Sequence, residues 1–171
     1  MRDVSFRDRY WSGLRAPSSR AAVDALIARG ALVHVRITGG PMLLAARDDV
    51  NELCRPPPTP DKWPVRMLGR FDPLLLAHKD KTVWVRRIDY PRVWTTNGTI
   101  EATVLVHGRI AGTWSGTRVG EHGFLVCLKA FDVEAVSRAM AALHRQATGM
   151  AAFMGRSLTD LVLLDTAGSK L

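Results

Sequence analysis

The residue types best suited to chemistry in this chain are arginines, interleaved with aromatic side chains. Of 171 residues, 24 are Lys or Arg against 16 Asp or Glu, and the formal net charge is +8. Most of the cations are arginine, whose guanidinium group forms planar two-point hydrogen bonds with phosphate and stacks on flat rings. This composition indicates nucleic-acid binding, and the alternative is a basic surface that only maintains solubility.

The basic residues form two groups along the sequence. The first surrounds a predicted helix start and a hairpin: Arg15, Ser18, Ser19, Arg20 and Arg36. The second lies on or beside predicted strands, with Trp84, Tyr90 and Trp94 between its members: Lys79, Arg86, Arg87, Arg92 and Arg109. A helix start with hydroxyls and arginine can bind phosphate, and rings between cations can stack on bases or wedge between them. The competing interpretations are a plain helix cap at the first group and core tryptophans at the second.

Other catalytic and ligand-binding motifs are missing from the sequence. It has no phosphate-binding glycine loop, and its five histidines and two cysteines have no metal-ligand spacing, so we predict no cofactor and no metal. Asp72 and Asp80 are conceivable as a carboxylate pair. An Asp before Pro commonly bonds the backbone of a turn, however, and we favour that role for Asp72.

The cysteines and the hydropathy pattern bear on the compartment. Cys54 and Cys127 are too few for a disulfide framework, and we expect both thiols to be packing residues in a reducing, cytosolic setting. No early apolar run resembles a signal peptide, and none is long enough to cross a membrane. We therefore predict no membrane partner.

The first predicted unit, residues 1–54, has the element order of the last half of a winged helix. Apolar residues have helical spacing from Val4 to Leu14, and the following Pro17 should end that helix. Ser18 or Ser19 can then cap a second helix that stops at Gly30. A hairpin over residues 31–46 follows, and a proline-rich linker is predicted over residues 55–62.

The second predicted unit, residues 63–171, is a small curled antiparallel β-sheet or barrel packed by a long C-terminal helix, which makes the chain α+β. A short apolar entry strand is expected near its start, within the stretch Leu68–Asp80. Asn97-Gly98 and His107-Gly108 suit two-residue turns on either side of a strand over residues 99–106. Asp132 should cap a helix that runs to about Met154, and residues 161–164 form either a last strand or a docking segment.

Three stretches of this sequence resemble the bacterial winged-helix DNA glycosylase family, which includes alkylpurine and interstrand-crosslink unhooking enzymes. Arg9–Leu14, with the helix and hairpin after it, resembles the last winged helix of that family. Leu68–Asp80 resembles the start of its C-terminal β-barrel, and Thr103–Trp114 resembles the central hairpin of the barrel. The resemblance extends over residues 4–155.

The resemblance implies DNA repair, but the sequence departs from the family at its catalytic signature. Family members are about twice this long, and two glutamines flanking an apolar residue carry their chemistry; this chain has a single glutamine, Gln146. We therefore expect a natural truncation, a fragment, or a lineage reused for binding. Its expected partner is double-stranded DNA, alkylated or crosslinked, and its expected location is the cytoplasm, on the nucleoid.

Three functions remain open from the sequence. The first is a DNA-binding module without base excision of its own. The second is residual or partner-assisted glycosylase activity that uses Asp72 or Asp80. The third is binding of a small apolar ligand, or dimerisation, through a cavity lined by Trp63, Trp84 and Trp114.

Overall fold

The chain divides into two compact units. A computed structural model describes residues 16–36, 38–40, 42–59, 62–77 and 81–171. One unit comprises residues 1–57 with 76–79, and the other comprises residues 58–75 with 80–171, so the division falls inside the proline run. The helix predicted over residues 4–14 lies outside the described residues.

The first unit begins its described part with helix α1, Ala16–Ala28. The Gly30 N–H donates to the Ile27 carbonyl at 2.9 Å and the Ala31 N–H donates to the Leu26 carbonyl at 2.9 Å. This is the Schellman arrangement, which needs a left-handed residue after the helix, and Gly30 has φ of +73°. The predicted stop at Gly30 is therefore confirmed.

The predicted serine cap of this helix is wrong. Helix α1 already starts at Ala16, so Ser18 and Ser19 lie within its first turn rather than ahead of it. Pro17 also lies in that turn, where a fixed φ near the helical value and a missing N–H carry no penalty. The proline thus belongs to the helix that it was expected to precede.

A β-hairpin follows the helix. Strands β1 (Leu32–Arg36) and β2 (Met42–Ala46) pair antiparallel, and Arg47 donates from Nε to the Gly30 carbonyl at 2.6 Å. A 3₁₀ turn (Arg47–Asp49) and helix α2 (Val50–Leu53) follow the hairpin. The predicted order of helix and hairpin is confirmed, and a complete winged helix stays a prediction.

The second unit contains a five-stranded sheet in the order β3-β4-β5-β6-β7. Its strands have the following bounds: β3 Arg66–Leu68, β4 Thr103–Val106, β5 Arg109–Val119, β6 Gly123–Ala130 and β7 Ser157–Leu164. Neighbours are antiparallel except β6 and β7, which are parallel. The sheet is therefore open and mixed: of the two predicted alternatives, the barrel is wrong and the antiparallel sheet is confirmed except for the parallel pair β6–β7.

Gln146 bonds the backbone of edge strand β3. Its carboxamide accepts from the Met67 N–H at 3.0 Å and donates to the Val65 carbonyl at 2.9 Å. These two backbone groups lie on the side of β3 away from β4, where a closing strand would have to bond. The side chain therefore takes the place of a sixth strand at this edge.

Helix α5 (Val133–Phe153) connects β6 to β7 and covers one face of the sheet. Asp132 caps it, because the carboxylate accepts from the Ala135 N–H at 3.0 Å. The core between helix and sheet includes these buried residues: Val104, Phe124, Val126, Leu128, Val136, Leu143 and Ala147. The predicted cap, helix and last strand are confirmed.

Of the two predicted two-residue turns, the structure confirms the one at His107-Gly108 and differs at Asn97-Gly98. His107 and Gly108 both have positive φ, 48° and 77°, as a two-residue hairpin turn requires. At the other turn Gly98 has positive φ, Asn97 does not, and Thr95 N–H donates to the Thr99 carbonyl at 3.0 Å across three residues. That turn is a longer type than predicted, and the strand after it starts at Thr103 rather than at residue 99.

The remaining elements are short. The expected entry strand is found in part: β3 ends at Leu68, whereas the apolar residues after it form helix α3 (Pro73–Ala77), because Asp72 and Pro73 start a helix there. A 3₁₀ turn (Arg87–Asp89) leads into helix α4 (Tyr90–Val93). Among the described residues, no helix combines the length and apolar character needed to span a bilayer.

Candidate nucleic-acid interface

Two of the predicted DNA-binding arginines, Arg86 and Arg92, meet at one buried carboxylate. Arg86 donates from Nε to Oδ2 of Asp89 at 2.8 Å, and Arg92 donates from Nη1 to Oδ1 at 2.6 Å. The Asp89 side chain is fully buried, whereas those of Arg86 and Arg92 remain 57% and 45% exposed. One carboxylate therefore holds two guanidinium groups whose outer parts face solvent.

Phe131 fixes the same two arginines further. The Arg92 guanidinium lies over its ring, 5.6 Å from the centroid, and Arg86 donates from Nη2 to its carbonyl at 3.2 Å. Such anchoring reduces the side-chain entropy that is lost when a guanidinium binds an anion. With two cations and one anion, the cluster keeps a positive charge that an external phosphate can balance.

The spacing of this cluster follows from its local backbone. Arg86, Asp89 and Arg92 are three residues apart along a 3₁₀ turn and the helix after it, so their side chains emerge on the same side. Sequence reasoning identified both arginines and missed Asp89. The spacing Arg-x-x-Asp-x-x-Arg was the available signal.

Arg87 and Arg109 complete the predicted set of this unit. Arg87 is exposed on the 3₁₀ turn. Arg109 is exposed at the start of β5 and donates from Nη1 to the Thr82 carbonyl at 3.0 Å, so it lies against the segment that leads to Arg86. Lys79 lies outside the described residues.

The predicted residues of the first unit occupy two places. Ser18 and Arg20 are exposed in the N-terminal part of α1, Ser19 belongs to the same turn, and Arg36 is exposed at the end of β1. Arg15 lies outside the described residues.

The candidates for other chemistry have structural roles. Asp72 accepts through Oδ1 from the Leu74 N–H at 2.9 Å at the start of α3, which is the turn role expected for it, and Asp80 lies outside the described residues. The two bonds of Gln146 to β3 occupy both ends of its amide. Among the described residues, no group of three or more His, Cys, Asp and Glu is placed to hold a metal ion.

The tryptophan cavity stays a prediction, whereas the expectation that both thiols are packed needs correction. The Trp63 ring lies over Gly108 and its Nε1 donates to the Pro58 carbonyl at 2.7 Å, whereas Trp114 donates from Nε1 to the Leu68 carbonyl at 2.9 Å. Each of these two rings therefore has its own backbone partner.

Both thiols are free, Cys127 is partly exposed, and Cys54 is exposed rather than packed.

The comparisons with known proteins point to one family. A family model described as DNA glycosylase AlkZ-like matches residues 7–153. The solved structure of the Streptomyces sahachiroi DNA glycosylase AlkZ matches with a TM-score of 0.61 at 22% sequence identity, over 88% of this chain and 38% of that one. This chain therefore spans less than half of that protein. A search of curated proteins gave no match.

Proposed function

The chain belongs to the AlkZ-like DNA glycosylase family, and from that premise we propose that it is a DNA-binding module without base excision of its own. Membership confirms the resemblance found in the sequence. The observation that carries the proposal is the pair of exposed guanidinium groups held by buried Asp89. The proposed partner is duplex DNA, and the proposed location is the nucleoid of the cytoplasm.

In this proposal the affinity comes from arginine–phosphate contacts. Arg86, Arg87, Arg92 and Arg109 neutralise backbone phosphates, and the release of counterions from the DNA drives binding. The logarithm of the affinity should then fall with the logarithm of salt concentration by about 0.9 for each phosphate contact. Contacts of this kind carry no sequence information, so unrelated duplexes should bind with similar affinity.

Fluorescence anisotropy with a labelled duplex tests the proposal across a salt series. We expect tight binding at low salt and, for Arg87→Gln or Arg109→Gln, weaker binding with a salt slope smaller by about one unit. Arg145→Gln is the matched control, since it removes the same charge from an exposed position of α5. Absence of duplex binding at low salt would contradict the proposal, as would equal losses in the control.

Family membership also supports a second candidate function, residual or partner-assisted glycosylase activity on alkylated or crosslinked DNA. Asp72 and Asp80 are the carboxylates proposed for it, and Asp72 already binds the Leu74 N–H. Release of 7-methylguanine from alkylated DNA, abolished in Asp72→Asn and Asp80→Asn, would establish this function. No release under any condition would remove it.

A further inference from the structure

A depression of about 410 Å³ lies beside the Asp89 cluster in the second unit. Its floor includes Thr113, Ser115, Cys127 and Lys129, which form the cross-strand pairs Thr113–Lys129 and Ser115–Cys127 between β5 and β6. These positions alternate with Leu128 and Ala130, which pack in the core against α5. The depression is therefore on the face of the sheet that α5 does not cover.

The walls of the depression are positively charged. Arg92 and Phe131 both line the depression. The Arg92 guanidinium is hydrogen-bonded to Asp89 and lies over the Phe131 ring. Lys129 is exposed and takes part in none of the ion pairs among the described residues. The site can therefore present an anchored guanidinium and an ammonium to one ligand.

The carboxylates around the depression do not neutralise these charges. Glu101 also lines it, but its Oε2 accepts from Nη2 of Arg70 at 3.1 Å, and Asp89 is shared between two arginines. The four cations Arg70, Arg86, Arg92 and Lys129 thus stand against two carboxylates. An excess of two positive charges beside a pocket favours a ligand that carries a similar negative charge.

We propose that this depression binds the phosphate group of a single nucleotide unit, either a free nucleotide or a nucleotide of an unpaired strand. A phosphate offers three strong acceptor oxygens to Arg92, Lys129 and the hydroxyls of Thr113 and Ser115. The volume of the depression is within the range of small-ligand sites. This proposal goes beyond duplex binding and does not depend on it.

Alkylation of Cys127 in the full chain provides the test, because its thiol lines the depression and Cys54 lies outside it. We expect deoxyadenosine 5′-monophosphate to slow the reaction of Cys127 with N-ethylmaleimide about fivefold or more, because access controls thiol reactivity. Deoxyadenosine, which lacks the phosphate, should leave the rate unchanged. Cys54 is the internal control and should react equally in all samples.

Two variants assign the effect to the proposed ligands of the phosphate. Lys129→Gln should raise the nucleotide concentration that gives half-maximal protection about tenfold or more, the loss expected for one charge-assisted contact. Arg92→Lys keeps the charge and should weaken nucleotide binding less than Arg92→Gln, which also leaves buried Asp89 with Arg86 as its remaining ion-pair partner. Arg145→Gln, on the helix that covers the opposite face, should have no effect. Amide chemical shifts of residues 113–115 and 127–129 provide a measurement that needs no thiol chemistry.

The probes distinguish a free nucleotide from a nucleotide of an unpaired strand as the source of the phosphate. They also test this proposal independently of duplex binding. Protection by the mononucleotide and by inorganic phosphate supports a free-nucleotide site, and protection by a single-stranded oligonucleotide alone supports an unpaired strand. Either result stands even if the duplex fails to bind. Equal protection by deoxyadenosine, an unchanged Lys129→Gln variant, or no response to any of these probes in either measurement overturns the proposal.

Discussion

Asp89 is the residue on which two exposed arginines of the candidate interface depend. A fully buried carboxylate is destabilised by the loss of water unless cations and hydrogen bonds compensate for it, and here Arg86 and Arg92 do so at 2.8 and 2.6 Å. The buried Asp89 carboxylate in turn holds the two guanidinium groups in fixed positions. Stability and the proposed phosphate binding are therefore linked at this residue.

We expect Asp89→Ala to lower the free energy of unfolding by about 2–3 kcal/mol, because it leaves two guanidinium groups without their buried partner. Glu134→Ala is the matched control: it removes the carboxylate from the exposed ion pair with Arg138, and it should change stability by about 0.5 kcal/mol or less. Urea unfolding of both variants measures the difference. Equal effects would mean that the buried cluster contributes no more than a surface pair.

The single glutamine has a structural role that its sequence context did not reveal. Gln146→Leu should free the Met67 N–H and the Val65 carbonyl, and it should lower stability by about 1–2 kcal/mol. Hydrogen exchange of the Met67 amide should become at least about tenfold faster, since a tenfold change corresponds to about 1.4 kcal/mol of opening free energy. Arg145→Leu, one position away and exposed, is the control. Unchanged Met67 protection in Gln146→Leu would show that the amide does not close this edge.

At the scale of elements, the sequence predicted the helices and strands that have both a capping residue at their start and a long periodic pattern of apolar residues. Asp132 marks the start of α5 and the apolar positions repeat over its 21 residues, so its extent could be predicted. His107-Gly108 likewise identifies its turn by two residues that tolerate positive φ. Such elements can be predicted because residues close together in the sequence determine where they begin and end.

The features that the sequence could not predict depend on short runs or distant partners. Helix α3 has only five residues, too few for apolar periodicity to distinguish a helix from a strand. The hydrogen bonds at the edge of β3 come from Gln146, which lies 79 residues along the chain from Met67. Of the Asp89 cluster, the sequence predicted Arg86 and Arg92, because an excess of arginine is visible in the composition. It did not predict Asp89, because the composition does not show which carboxylate is buried.

Two turn glycines allow the element-scale packing to be tested. Gly98 and Gly108 have nearly equal positive φ, 76° and 77°, but a Cβ at Gly98 would meet open space and one at Gly108 would overlap the Trp63 ring. We expect Gly98→Ala to lower stability by about 1 kcal/mol from backbone strain. Gly108→Ala should lower it by about 3 kcal/mol, because displacement of the ring adds to that strain. Thermal unfolding of the two variants provides the comparison, and equal losses would show that Trp63 does not fix this turn.

At the scale of the whole molecule, the two units differ in how their described residues are buried. The second unit has a core of fully buried side chains between α5 and the sheet, including Val126, Leu128 and Leu143. Among the described side chains of residues 18–57, none is buried. Since burial of apolar surface is the main stabilising contribution in folding, the two units should differ in local stability.

Two β-hairpins with similar backbone bonding make this difference measurable. We expect amides of β1 and β2 to exchange through local opening, with protection well below the global value, because their side chains are partly buried or exposed and none is fully buried. Amides of β4 and β5 should exchange only on global unfolding, since the four side chains of β4 are buried. Hydrogen exchange of the full chain, followed residue by residue, tests both expectations together. Equal protection of the two hairpins would contradict this argument and would show that the first unit has a source of stability beyond residues 18–57.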